Sequence, residues 1–140
     1  MEHKVEGCNV FVRLHKGEDF MSGLKEACEK AGIQSAAVAT GIGMLENAEL
    51  GYFKGVGDYE KELLEKPHEL VSLQGIILKQ GGEFNFHLHA ALANESHELL
   101  GGHLFAAKVA VTAELMLIKS EAVLKRELEQ ETGLMGLKLG

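Results

Sequence analysis

The chain has 140 residues, 46% of them hydrophobic, and a formal net charge of −7 from 21 acidic and 14 basic residues. That length implies one domain over residues 1–140, built on a single core, and the charge, with no run of Lys and Arg, disfavours direct binding to nucleic acid, which depends on clustered cations. There is neither a charged leader before an apolar stretch nor an apolar run of bilayer length, so the expectation is a soluble cytoplasmic protein with no membrane partner.

Val10, Val12 and Leu14 alternate with Phe11, Arg13 and His15, a strand pattern that begins the sheet. Lys16-Gly17-Glu18-Asp19 breaks the period, and its acidic residues suit the positive end of a helix. Phe20, Leu24, Ala27, Cys28 and Ala31 then recur at helical spacing before Gly32, which predicts a helix over 19–31 covering one face of the sheet. Cys8 and Cys28 form no Cys-x-x-Cys pair, so neither a disulfide framework nor a thiolate zinc site is indicated. Cys28, on the helix face, reads as a small core residue.

From Ile33 to Phe53 the residues are small and β-prone, with Gly41-Ile42-Gly43 as a bend or bulge, since it lacks the spacing and helix start of a dinucleotide loop. Gly55-Val56-Gly57-Asp58 is turn-like. Tyr59 to Lys66 is rich in helix formers yet also fits a solvated strand, and the residues alone leave both assignments open. After Pro67, Glu69 to Leu78 reads as a largely buried strand with a bulge at Gly75, and Gln80-Gly81-Gly82-Glu83 as a turn.

The next stretch, Phe84-Asn85-Phe86-His87-Leu88-His89-Ala90-Ala91-Leu92, carries the chemistry. In an extended strand His87 and His89 project to one side while Phe86, Leu88 and Ala90 project to the other. Such a pair also arises on the solvated face of an ordinary strand, so on its own it does not point to a metal. The polar residues Asn94 to Glu98 reverse the chain, however, and Leu99-Leu100-Gly101-Gly102-His103-Leu104 returns beside the first run. A Gly-Gly pair permits a bulge that re-aims His103. Three neutral imidazoles converging from strands, with a fourth position open, form the ligand set of a catalytic-type zinc site. His3, His15, His68 and His97 stand near charged or turn residues and read as solvated.

Lys108 to Lys119 is the last long strand, with Val109, Val111, Ala113, Leu115 and Leu117 on one face. Glu114 lies among apolar neighbours there, and a buried carboxylate needs a partner. It is a candidate general acid or base, or a partner orienting a metal-bound imidazole; the plain alternative is an exposed acid paired with Arg13. The tail from Glu121 reads as a short helix followed by a terminal strand. The whole is an α+β fold, a mainly antiparallel sheet with one helix near the N-terminus packed on it, and so many strand edges favour an oligomer.

Arg13-Leu14 with Gly17-Glu18-Asp19, then Gly41-Ile42-Gly43, Glu69-Leu70-Val71-Ser72-Leu73-Gln74-Gly75, His87-Leu88-His89, Leu100-Gly101-Gly102-His103-Leu104 and Thr112-Ala113-Glu114, in that order, resemble the PPC domain (plant and prokaryote conserved domain) over nearly the whole chain. The resemblance implies an α+β fold assembling as a homotrimer, and it tips Tyr59 to Lys66 towards strand. Plant members join this domain to AT-hooks that bind A·T-rich DNA, the domain itself serving protein association; this chain shows no AT-hook and no Arg-Gly-Arg core, as in the stand-alone prokaryotic type. The prokaryotic form is similar in fold to the zinc-dependent acetolactate decarboxylases, whose metal is held by a His-x-His pair and a third histidine. That implies a metal on His87, His89 and His103, with Glu114 as the acid near it and Arg13 as a carboxylate-binding partner.

The resulting expectation is a protein holding zinc, or another divalent transition metal, on His87, His89 and His103, its open position taking a small anionic ligand for hydrolytic or lyase-like chemistry. The alternative is a DNA-associated regulator or protein-interaction module without catalysis, as in the plant proteins.

Overall fold

The structure, a computed structural model, describes residues 1–139. In chain order its elements are β1 (Glu2–Glu6), β2 (Asn9–His15), α1 (Phe20–Lys30), β3 (Ser35–Gly55), β4 (Asp58–Leu64), β5 (His68–Gln80), β6 (Glu83–Ala93), β7 (Leu99–Ser120), β8 (Lys125–Leu128) and β9 (Met135–Lys138). Seven strands form one antiparallel sheet in the order β1-β2-β7-β6-β5-β3-β4, and β7 also pairs with β3. The second pairing closes a ring of β7, β6, β5 and β3. Side chains pointing into that ring and beneath α1 make the core, among them Leu14, Phe20, Leu24, Leu45, Leu73, Ile77, Leu88, Leu104 and Leu117.

The helix starts where Asp19 Oδ1 accepts the Ser22 N–H at 2.8 Å, a cap that contributes on the order of 1 kcal/mol. Phe20, Leu24, Ala27 and Cys28 then face β2 and β7. Burial pushes the Cys28 thiol up to about 12, so this cysteine is an inert core residue.

Several expectations are corrected. An additional strand, β1, pairs with β2; all five of its residues are exposed, so it carries no buried apolar face for the sequence pattern to show. Residues 35–55 form one continuous strand that is irregular where Gly43 takes φ 147°, in keeping with the bend or bulge expected at Gly41-Ile42-Gly43. A side chain at Gly43 would collide with the Thr112 carbonyl, so glycine is required there. At that point β7 carries extra residues relative to β3, between Ala113 opposite Gly43 and Val109 opposite Leu45. The irregularity turns Val111 outward, away from the face it was expected to share with Val109 and Ala113. Gly75 sits in regular register opposite Leu88, and the bulge of β5 falls instead between Leu70 and Ser72. Tyr59 to Leu64 is strand, part of β4, as the family resemblance implied.

The tail contains no helix among the described residues. Its propensity favours one, but Gln80 binds the Arg126 backbone and Gly133 at φ 67° turns the chain, so β8 and β9 form a hairpin. No helix of the described residues is long and apolar enough to cross a membrane.

Candidate metal centre

The β6–β7 hairpin brings the histidines together. Asn94 Oδ1 accepts the N–H groups of Ser96 at 2.9 Å and Glu98 at 3.0 Å, a side-chain turn that reverses the chain as its residue types predict. Beyond it the register is regular, with His89 opposite His103 and Ala90 opposite Gly102. Directly opposed residues share a face, and His87 lies two residues before His89 on that same face. No bulge re-aims His103 between β6 and β7. The adjoining glycine serves another purpose: a Cβ on Gly102 would lie 2.8 Å from the Gly51 carbonyl, so glycine lets β3 and β7 approach closely beside His103.

The donor nitrogens of His87, His89 and His103 lie within 4.8 Å of one another. His87 Nε2 and His89 Nε2 are 3.2 Å apart, close to the ~3.3 Å edge of a tetrahedral site with bonds of about 2.0–2.1 Å. His103 needs only a side-chain adjustment to join them. Its ring centroid lies 5.3 Å from that of His87 and 5.5 Å from that of His89. The donor set is all imidazole, which suits zinc, copper, nickel or iron.

Burial, reinforced by its two neighbouring imidazoles and by Arg126 and Lys61, pushes His103 down to about 4. Burial and then the charge of Arg126 also lower His87. Both rings are therefore neutral near pH 7, the form that ligates metals. The rim beside His103 is aromatic: Phe105 lies 4.5 Å away between ring centroids and Tyr59 6.0 Å, with Lys61 Nζ 4.1 Å above the Phe105 ring and 2.5 Å from Glu49.

Glu114 and Arg13 lie elsewhere. They face one another across β2 and β7 and line a depression with Phe11 and His3. Glu114 is exposed rather than buried among apolar neighbours, because it points away from the core face that holds Ala113 and Leu115. It stands eleven residues beyond His103 on the same strand, a rise on the order of 30 Å. The structure thus does not bring either residue to the imidazoles. His68 also departs from expectation: it is buried, its Nδ1 2.8 Å from the Lys66 carbonyl oxygen.

Besides Lys61, a second cation acts on the histidines, Arg126 of β8. Sequence reasoning passed over it as half of a Lys-Arg pair on a tail read as helix. The usable signal was the period of two in Lys125-Arg126-Glu127, which places one cation on the opposite side from its charged neighbours.

The family model described as the Plants and Prokaryotes Conserved (PCC) domain matches residues 1–121. A metal-containing protein from Archaeoglobus fulgidus is similar in structure, with 30% identity, 99% of this chain and 97% of that one covered, and a TM-score of 0.84. A plant- and prokaryote-conserved (PPC) protein from Pyrococcus horikoshii shares 29% identity over 99% of this chain and 96% of its own, with a TM-score of 0.82. A candidate DNA-binding protein from Bacteroides thetaiotaomicron has a TM-score of 0.90 over 98% and 96% of the two chains, and at 22% identity that likeness is one of fold. None of the curated proteins matches this chain.

Proposed function

Because the chain belongs to the Plants and Prokaryotes Conserved (PCC) domain family, we propose that it is a metal-binding member that holds zinc, or another divalent transition metal, on His87, His89 and His103 and takes a small anionic ligand at the open position. The observation that carries this reading is the convergence of three imidazole nitrogens within 4.8 Å from a regular hairpin. The metal-containing protein from Archaeoglobus fulgidus supports it. Bound there, a divalent metal supplies Lewis acidity to a ligand oxygen or to water, the basis of hydrolytic or lyase-type chemistry. The chain's own part is to hold three neutral rings on rigid strands, with Phe105 and Tyr59 screening one side from water.

The DNA-associated reading has less behind it. The net charge of −7 and the lack of a basic run work against phosphate contacts. Self-association as a homotrimer is part of the proposal, supported by the exposed apolar side chains of Phe11, Ile42 and Ile118 on the outer face of β2, β3 and β7.

Elemental analysis of protein purified without chelator or histidine tag tests the metal. Near-stoichiometric zinc, or another divalent metal, in the wild type and a loss of at least tenfold in His89→Ala are expected. Metal-free wild type that gains no thermal stability from added zinc overturns the reading.

A further inference from the structure

The C-terminal hairpin lies over one end of the sheet face from which the imidazoles project. Cross-strand partners share a face, so the pairs Gln74–His89, Ile76–His87, Leu78–Asn85 and Gln80–Glu83 all lie on that side of β5 and β6. Gln80 holds the Arg126 peptide at both ends: its Oε1 accepts the Arg126 N–H at 2.8 Å and its Nε2 donates to the Arg126 carbonyl at 3.3 Å. Leu78, two residues earlier on the same face, is fully buried although it is not among the residues of the main core. β8 therefore lies over the histidine face. Within it Lys125, Glu127 and Leu128 are exposed, while Arg126 turns inward and is 7% exposed.

Among the described residues, 1–139, this buried cation has no carboxylate partner. None of the ion pairs among the described residues includes Arg126. Its Nη1 donates to the Met135 carbonyl at 2.9 Å, and its buried Nε has no acceptor. Uncompensated buried charge is strongly unfavourable, and buried polar groups nearly always find partners. Arg126 is thus a buried cation on the same side of the sheet as His87 and His89. A divalent metal on three neutral imidazoles adds two positive charges, and no acidic side chain belongs to the ligand set.

We propose that the ligand of the three-histidine site is a carboxylate and that Arg126 binds it, offering the guanidinium edge that carries the orphaned Nε–H. The guanidinium presents parallel donors that match a carboxylate in a two-point contact, which a neutral isostere cannot reproduce. The assignment rests on the metal-site reading, and it replaces Arg13 with Arg126 as the carboxylate-binding partner.

The test is calorimetric titration of zinc-loaded protein with formate and with its neutral counterpart formamide. Formate binds and formamide does not. Arg126→Gln retains its zinc content and cooperative melting but binds formate at least tenfold more weakly, with Arg126→Lys in between. Equal formate affinity in wild type and Arg126→Gln overturns the proposal, as does formamide binding as tightly as formate. Arg126→Gln that loses only self-association, with formate affinity unchanged, also overturns it and points to an acid from a second copy as the partner. Should neither variant fold, the Arg126 Nε resonance of ¹⁵N-labelled wild type decides: it moves on adding formate, and an unmoved resonance overturns the proposal. The same resonance separates the two readings if the wild type holds no metal. A shift with formate then supports Arg126 while the metal reading falls, and no shift removes both.

Discussion

His103 is held neutral by its surroundings, and that leaves a signature in the metal-free protein. In the unfolded chain its imidazole takes up a proton below about pH 6.5, whereas in the folded chain it does so only near pH 4. Between those values the unfolded state holds a proton that the folded state lacks, so stability falls as pH is lowered through this window. Above about 6.5 neither state is protonated and the contribution is constant. Urea midpoints of metal-free protein at several pH values are expected to decline on acidification from 6.5 to 4, and His103→Asn is expected to flatten that part of the profile. The ligand residues were legible in the sequence because a strand's period of two and a turn rich in Asn, Glu and Ser are local rules. Glu114 was misread because the apolar residues beside it in sequence, Ala113 and Leu115, point into the core while Glu114 itself points outward and is exposed, opposite Arg13. Arg126 was missed because its partner Gln80 is 46 residues away.

The hairpin of β6 and β7 depends on its contact with β3. A Cβ added at Gly102 meets the carbonyl of Gly51, a backbone atom that cannot swing aside. Gly102→Ala is therefore expected to spread the two strands beside His103 and to lower stability by about 1–3 kcal/mol, the usual cost of overpacking, measured as a shift in the urea midpoint with an unchanged slope. Metal affinity should weaken with it, since His103 is the next residue. α1 was readable almost to the residue, Asp19 and Ala31 proving to be its caps. The tail was not, because the glutamates of 127–131 favour helix while tertiary hydrogen bonds to β5 and a glycine turn impose strand.

The outer face of β2, β7 and β3 presents Phe11, Ile42 and Ile118, at 46%, 51% and 44% exposure, around the Arg13 and Glu114 positions. The chain's net charge of −7 by itself favours separation, and this apolar patch on a sheet face is the surface on which the proposed trimer would rest. Sedimentation equilibrium is expected to give a trimer for the wild type and a smaller species for Ile42→Glu, with metal content unchanged because the histidines stand on other strands. A wild-type monomer at micromolar concentration would remove the trimer from the proposal. The antiparallel architecture was accessible from the alternation of short segments, but the ring closure was not. It depends on β7 pairing with residues of β3 that lie 52 to 85 positions earlier, and no local pattern encodes that.

That closure governs how the chain reaches its native state. β7 pairs with β2, β3 and β6, all of which precede it in sequence, so it supplies the final side of the ring. During synthesis β2, β3 and β6 emerge with edges that stay open until β7 follows, the circumstance in which strands are prone to pair with the wrong neighbour. Contacts so distant in sequence place folding towards the slow end, on the order of milliseconds to seconds. The three imidazoles come into register only when β7 docks, so any metal site they form is assembled among the last steps rather than used as a nucleus.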